Sequence, residues 1–276
     1  MDPVNILILG AAGVAGGFVA GLLGVGGGII FAPVLFFFYS ARGVDPDLIA
    51  PLTLGTSLFC TLVTALAGTA THWGAGLIGR RVAVVVGAFS AAAVVGMTLF
   101  VTTQPWYSGR VFQIVLAAIL LGAVYRMVTG KRPKKTSGWR DRLRTGTPFL
   151  AATGAAAGSV ASAAGVGGGI VLVPAYNQLL RLPLKTATAT SLATIILISF
   201  SGVAMYAATG LAVETPPTAL GYVDFGQAVW MVLPALVTAR LGVKTAERVN
   251  VRLIRFSFAG LAVLVAGRLL WRAFGG

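Results

Sequence analysis

The chain has 276 residues, of which 57% are hydrophobic and 10% are charged, and its mean hydropathy is +0.90. A soluble domain carries roughly 25% charged residues, so this composition excludes an ordinary soluble protein and indicates a polytopic membrane protein. The net charge of +14 lies in short basic loops between apolar stretches, which is the positive-inside pattern rather than a nucleic-acid footprint. The single cysteine, Cys60, excludes an internal disulfide and a cysteine-rich metal site.

The apolar segments form two similar sets, each with one glycine-broken segment followed by three single helices. The first set is predicted at 4–40 (broken), 48–70, 82–103 and 111–129, and the second at 148–180 (broken), 185–208, 226–243 and 252–273. We therefore divide the chain into a first membrane repeat, 1–129, a basic linker, 130–147, and a second membrane repeat, 148–276.

A glycine cluster interrupts the first segment of each set. Gly24 to Gly28 reads GVGGG and is followed by an apolar stretch that ends in Pro33, and the same pattern recurs from Gly165 to Pro174. Glycine runs make poor helix, and bare backbone survives in a membrane only where it is buried in protein or lines a cavity. Two such breaks at matching places indicate a transport site between internal repeats.

The duplication extends beyond the glycines. Thr56-Ser57-Leu58 in the first set corresponds to Thr190-Ser191-Leu192 in the second. At the same offset, Gly68 corresponds to Gly202, His72 to Tyr206 and Gly76 to Gly210. The repeat therefore covers nearly the whole chain, with a linker between the two copies.

The basic residues indicate how the two halves are oriented. If each glycine segment crossed the membrane once, the halves would be parallel and the 21 Lys and Arg would divide 12 to 9 between the two sides. If each segment is a hairpin, the halves are inverted and the division is 17 to 4, with only Arg42, Arg110, Arg268 and Arg272 outside. The positive-inside rule favours the second arrangement, in which the linker is cytoplasmic. The predicted fold is therefore an all-α polytopic membrane protein with two inverted-topology repeats, each a glycine-broken helical hairpin plus three transmembrane helices.

The glycine clusters and the Thr-Ser pairs together predict an anion site. A helix that starts near Ile29 or Ile170 presents unpaired N–H groups and about half a positive charge, and glycines let an anion approach that backbone. Hydroxyl groups can donate hydrogen bonds to oxyanion oxygens. The candidate substrate-binding residues are Gly26, Gly27, Gly28, Thr56, Ser57, Gly167, Gly168, Gly169, Thr190 and Ser191. Two alternatives stay open: the hydroxyls could join helices, and the glycines could only shape the turn.

Several kinds of chemistry are disfavoured by what the predicted spans lack. No Asp or Glu lies deep within a predicted span, which argues against proton or sodium coupling through a buried carboxylate and against a cation-channel filter. The lone His72 near the cytoplasmic end of its helix is expected to be packed or interfacial. There are no paired carboxylates and no catalytic-triad spacing, so we expect no enzyme, no cofactor and no metal site.

The duplicated glycine triplets, the Thr-Ser-Leu contexts and the basic centre resemble the sulfite exporter TauE/SafE family of membrane transporters. The resemblance covers nearly the full chain, and the family pattern maps onto Gly26 to Gly28, Gly167 to Gly169, and the two Thr-Ser pairs. It implies an inner-membrane protein of bacteria that exports a small inorganic or organic sulfur oxyanion, such as sulfite, sulfoacetate or a related sulfonate. Where the first repeat has Gly55 the second has Ala189, so the two half-sites are not expected to be identical.

The expected partners are this anion and the lipid bilayer, without nucleic acid, and a homo-oligomer is compatible with the sequence. We expect transport by alternating access around the paired glycine turns. The alternatives are an anion channel, a carrier that takes up thiosulfate or an organic acid, and a membrane scaffold that transports nothing.

Overall fold

The computed structural model describes residues 3–104, 106–129, 146–246 and 251–275. The first half contains α1 (Pro3–Leu23), α2 (Gly28–Ala41), α3 (Pro46–His72), α4 (Arg80–Met97) and α5 (Gly109–Thr129). The second half contains α6 (Thr147–Ala164), α7 (Gly169–Pro174), α8 (Leu184–Thr209), α9 (Phe225–Thr245) and α10 (Val251–Gly275). Nearly all of the predicted linker, 130–145, lies outside the described residues.

The described residues confirm an all-α polytopic membrane protein. Five helical stretches are long and apolar enough to cross a bilayer, namely Pro3–Leu23, Pro46–Ala75, Arg80–Thr102, Leu184–Thr209 and Phe225–Thr245. Two shorter apolar helices, Gly28–Ala41 and Gly109–Tyr125, accompany them. Each predicted single helix is present within a few residues of its expected ends, and both glycine clusters break a helix where the sequence predicted.

Short connections fix where the main helices begin and end. α3 starts after Asp45, whose carboxylate accepts the N–H of Asp47 at 3.0 Å. A side-chain acceptor at this position satisfies one of the four free N–H groups at a helix start. α4 continues into a π-helical turn, Thr98–Thr102, and α7 continues into another, Ala175–Leu179. Between α8 and α9, β1 (Ala219–Leu220) pairs antiparallel with β2 (Val223–Asp224), with Ala219 opposite Asp224.

The two halves are interleaved through close glycine contacts. Gly13, Gly17 and Gly21 of α1 face the α9 backbone near Met231, Ala235 and Ala239, and a Cβ atom on Gly17 would lie 2.5 Å from the Ala235 carbonyl oxygen. Small residues allow membrane helices to approach closely, and these glycines let the α1 and α9 backbones do so. Along this contact the residue numbers increase in the same direction in both helices, so α1 and α9 run parallel.

The reciprocal pair is α4 with α6. Gly154 and Gly158 of α6 face the α4 backbone near Val86 and Ser90, and the Ser90 hydroxyl donates to the Gly154 carbonyl at 2.8 Å. Residue numbers along this contact also increase in the same direction in both helices, so α4 and α6 run parallel. The first helix of each half thus packs along the fourth helical element of the other half.

The third elements, α3 and α8, cross the centre side by side. Gly55 lies next to Tyr206, whereas Gly68 lies next to Leu192. Residue numbers along this contact therefore increase in α3 while they decrease in α8. The two equivalent helices therefore run antiparallel. α5 packs against α10 at the periphery. Exposed apolar side chains, including Leu7, Phe100, Trp271 and Phe274, cover the outer surface, as a lipid-facing surface requires.

Candidate functional site

The two glycine turns contact each other. A Cβ atom on Gly28 would lie 2.5 Å from the carbonyl oxygen of Gly165, and one on Gly169 would overlap the backbone of Val25. Glycine is required at both places because the backbones meet with no room for a side chain. The two helix breaks therefore contact each other directly. The duplicated glycine cluster indicated a shared site, but the sequence alone could not show this contact.

The two turns have similar but unequal backbone conformations. Gly26 and Gly167 both adopt the left-handed region, with φ of +79° and +73°. Gly27 has φ of −76°, whereas its counterpart Gly168 has φ of +75°. The half-sites are therefore not identical, as the Gly55 and Ala189 difference led us to expect.

Ser57 and Ser191 tie the turns to the opposite halves. The Ser57 hydroxyl donates to the Gly165 carbonyl at 2.8 Å, and the Ser191 hydroxyl donates to the Gly24 carbonyl at 2.7 Å. Both serine side chains are buried. Each half thus supplies the hydroxyl that satisfies the first carbonyl of the other half's turn, where an unpaired carbonyl would be costly.

Thr56 and Thr190 make a second crosswise pair of contacts. Thr56 Oγ1 accepts the N–H of Asp224, the residue before α9, at 3.0 Å. Thr190 Oγ1 accepts the N–H of Gly79, the residue before α4, also at 3.0 Å. All four hydroxyls predicted from the sequence therefore make hydrogen bonds between the halves: the two serines bond to the turns, and the two threonines bond to the residues that precede α9 and α4.

Asp224 introduces a buried negative charge beside Thr56. The side chain is 1% exposed, and its carboxylate accepts from Thr218 Oγ1 at 2.7 Å and from the N–H of Gln227 at 3.1 Å. The Tyr39 hydroxyl adds a longer contact of 3.3 Å. The sequence placed Asp224 at a helix end outside the spans but gave no sign that it is buried. An anion that approached Thr56 would be repelled by this carboxylate.

Hydroxyl groups also satisfy the last carbonyls of α6. The Tyr206 hydroxyl lies 3.0 Å from the Ser162 carbonyl, and the Tyr107 hydroxyl donates to the Ala163 carbonyl at 2.6 Å. The last four carbonyls of a helix have no intrahelical partner and carry partial negative charge. These contacts, with that of Ser57 to Gly165, reduce the negative potential that α6 would otherwise direct at the turn.

The N-terminus of α2 carries a partial positive charge. Its first backbone hydrogen bonds are those of Ile30 and Phe31, which both donate to the Gly27 carbonyl at 2.9 and 3.0 Å. The N–H groups of Gly28 and Ile29 precede these bonds and lie at the positive end of a 14-residue helix. The counterpart α7 has six residues and continues directly into the π-helical turn Ala175–Leu179.

Thr61 and Ser199 carry two further buried hydroxyls near the turns, and the sequence analysis did not single them out. Both side chains are 0% exposed, and neither Thr61 Oγ1 nor Ser199 Oγ has a hydrogen-bond partner. Thr61 Oγ1 lies 2.9 Å from the point where a Cβ atom on Gly28 would be, and Ser199 Oγ lies 3.6 Å from the equivalent point on Gly167. The available signal was helical spacing, since Thr61 follows Ser57 by four residues and therefore shares its helix face.

Other polar residues lie away from the turns or have different roles. His72 is the last residue of α3 and is half-buried, while Arg110 is exposed at the start of α5. Asn177 donates to the Leu182 carbonyl at 2.9 Å. Among the residues that the structure describes, no group of three or more His, Cys, Asp or Glu could hold a metal ion.

An apolar cleft elsewhere offers no anion-binding chemistry. It lies between α2, α5 and α10 and is lined by Ile29, Ile30, Pro33, Val34, Leu120, Ala262 and Val265. None of these side chains can donate a hydrogen bond. The buried contact between the turns is therefore the better candidate for a polar substrate.

Known proteins resemble this chain over most of its length. The family model described as sulfite exporter TauE/SafE matches residues 9–269. A "Probable membrane transporter protein" of Methanocaldococcus jannaschii is 28% identical over 256 residues, which cover 89% of each chain. One of Haemophilus influenzae is 26% identical over 266 residues, covering 95% of this chain and 96% of the relative. The "Probable membrane transporter protein YunE" of Bacillus subtilis is 28% identical over 218 residues, covering 72% and 77%.

The match extends from α1 to α10 and includes both glycine turns. The relatives are named as membrane transporters, and the described helices are those of a multi-pass protein in a lipid bilayer. The chain therefore belongs to the sulfite exporter TauE/SafE family and is a membrane transporter rather than an enzyme.

Proposed function

We propose that this transporter carries small sulfur-containing anions, such as sulfite, sulfoacetate or related sulfonates, out of the cell. The observation that carries the proposal is the buried contact of the two glycine turns, which Ser57 and Ser191 tie crosswise to the opposite halves. Glycine turns that open into a helix start are suited to anions, because the backbone N–H groups and the helix dipole both favour negative charge. The family name supplies the sulfur chemistry.

The candidate contacts are those that the sequence predicted: Gly26 to Gly28, Gly167 to Gly169, and the two Thr-Ser pairs. Their hydroxyls already bond within the protein, so their contribution would be to hold the turns or to exchange partners when substrate enters. Hydrogen-bond donors fixed in advance replace the hydration shell of an anion without having to reorganise.

Transport would proceed by alternating access. The turns and the hydroxyls beside them are buried, so a substrate reaches them only after helices separate on one side. Inverted repeats support such a movement, since one half can rock against the other around a central site. The antiparallel course of α3 and α8, and the reciprocal packing of α1 with α9 and α4 with α6, favour inverted rather than parallel halves.

The positive-inside rule completes the proposed placement. With inverted halves, the linker 130–147 and the loops near Arg80 and Lys185 lie in the cytoplasm, and the membrane is the bacterial inner membrane. An anion channel is the main alternative, because the same turns could serve a pore that opens to both sides at once.

A thermal-shift panel on purified protein in detergent tests the substrate class. The panel contains sulfite, thiosulfate, sulfoacetate, taurine, sulfate and acetate at equal ionic strength. A ligand that binds only the folded state raises its apparent stability, by about 2.7 kcal/mol at 100 times its Kd. We expect sulfite and at least one sulfonate to raise the unfolding temperature and acetate not to. Stabilisation by none of the sulfur compounds would contradict the proposal.

A further inference from the structure

We infer that Thr61 and Ser199 also bind the substrate through their side chains, in addition to the contacts proposed above, and that their site accepts an oxyanion with a single charge. The inference rests on the proposed function and assigns its contacts and its charge selectivity. Thr61 comes from α3 and Ser199 from α8, so the two halves each contribute one hydroxyl.

The hydrogen-bonding state of these two hydroxyls separates them from the Thr-Ser pairs. Ser57, Ser191, Thr56 and Thr190 all have protein partners within 3.0 Å. The Thr61 and Ser199 hydroxyls are equally buried but have none. A buried polar group without a partner is costly, and a ligand that supplies the missing partner removes that cost.

Both side chains lie where the glycine turns Gly24–Gly28 and Gly165–Gly169 contact each other, a region called the joint below. The Thr61 methyl group faces the Cβ positions of Gly26 and Gly167, and its Oγ1 faces that of Gly28, so the side chain lies between both turns. Ser199 Oγ lies 3.6 Å from the Cβ position of Gly167. Thr61 Oγ1 is close to Gly28, the first residue of α2, where backbone N–H groups precede the first intrahelical bonds. Once helices separate on one side, an oxyanion that enters this joint would accept hydrogen bonds from these hydroxyls and from the α2 N-terminus.

Among the described residues, the side chains that lie closest to the turn glycines are uncharged. The atoms nearest to the turn glycines belong to uncharged residues, among them Thr61, Val166, Thr188, Ile195 and Ser199. Desolvation of an ion grows with the square of its charge, whereas its attraction to neutral donors grows only in proportion to the charge. A dianion therefore pays about four times the desolvation cost for about twice the attraction.

Ile195 gives the joint an apolar side as well. Its side chain lies 3.3 Å from the Cβ position of Gly167 and 3.6 Å from that of Gly26. A sulfonate presents three oxygens on one side of its sulfur and carbon on the other, so its apolar end can pack against Ile195 while its oxygens accept hydrogen bonds. Hydrogensulfite and simple sulfonates fit such a site, and sulfoacetate, with a second charge, fits less well.

The test measures uptake of labelled hydrogensulfite into proteoliposomes, with unlabelled methanesulfonate or sulfate as competitor. These two competitors share a tetrahedral sulfur but differ in charge. We expect methanesulfonate to compete at concentrations at least tenfold below those of sulfate. We also expect sulfite uptake to rise as the pH falls and more of the substrate becomes singly charged.

The matched variants are Thr61→Val and Ser199→Ala, with Thr69→Val as control. Thr69 is also buried in α3 and its hydroxyl also lacks a partner, but it lies two turns beyond Thr61. Loss of a hydrogen bond to a charged ligand is expected to raise KM about tenfold or more in the two site variants. Their unfolding temperatures should not fall, because no protein hydrogen bond is lost, and the control should transport like the wild type.

Three results would overturn parts of this account in distinguishable ways. If Thr61→Val and Ser199→Ala both transport sulfite as well as the wild type does, the assigned contacts are refuted. Sulfate that competes as well as methanesulfonate would refute the charge selectivity. No wild-type uptake of any sulfur oxyanion would refute the proposed function, and this inference with it.

Discussion

At the scale of residues, the hydroxyl groups divide into those that hold the turns and those that remain free. Ser57 and Ser191 each donate to a carbonyl of the opposite turn, while Thr61 and Ser199 have no partner in the protein. The sequence predicted Ser57 and Ser191 as candidate site residues together with the glycine turns, and in the structure each bonds to a turn carbonyl. It could not determine their acceptors, because Gly165 lies 108 residues from Ser57 and only the folded chain sets that distance.

Ser57→Ala and Ser191→Ala are expected to weaken the fold. Each change leaves a buried carbonyl without its donor, which costs about 1–3 kcal/mol. Thermal unfolding in detergent micelles measures the loss. Ser201→Ala is the control, because its hydroxyl bonds to Leu197 within its own helix at an exposed position. Unchanged stability combined with lost transport would instead place Ser57 or Ser191 in direct contact with substrate.

At the scale of elements, the sequence predicted the helices well and their partners poorly. Length, apolar runs and loop charges determine where a membrane helix lies, so α3 and α8 were expected within a few residues of their observed ends. Which helices pack together depends on the fold as a whole. The glycines of α1 lie against the α9 backbone, but nothing in the sequence identified α9 as the partner.

Helix directions can be tested with single cysteines. Cys60 is buried, so the native chain serves as an unlabelled background. Gly74→Cys, Ser108→Cys and Lys185→Cys each introduce a thiol at an exposed loop or helix end. With inverted halves, an impermeant maleimide applied to intact cells should label Ser108→Cys alone. Parallel halves would place Lys185 on the side of Ser108, so labelling of both would contradict the inverted arrangement.

At the scale of the whole molecule, two interleaved halves meet at one buried, polar joint. The duplicated glycine cluster predicted that such a joint exists and that it favours anions. The sequence did not predict that the Asp224 carboxylate lies beside Thr56, because a helix-capping Asp at a span end looks the same whether it is exposed or buried. That carboxylate disfavours an anion near Thr56 and directs attention to the uncharged side of the joint, at Thr61 and Ser199.

The most direct test of the central claim is solute counterflow in proteoliposomes that contain the purified protein. Vesicles are loaded with unlabelled sulfite and diluted into a trace of labelled sulfite. A carrier with alternating access exchanges one for the other, so labelled sulfite should accumulate inside transiently above its outside concentration. Labelled sulfite that only equilibrates, or that enters no faster than into protein-free vesicles, would contradict a sulfur-anion carrier built around the paired glycine turns.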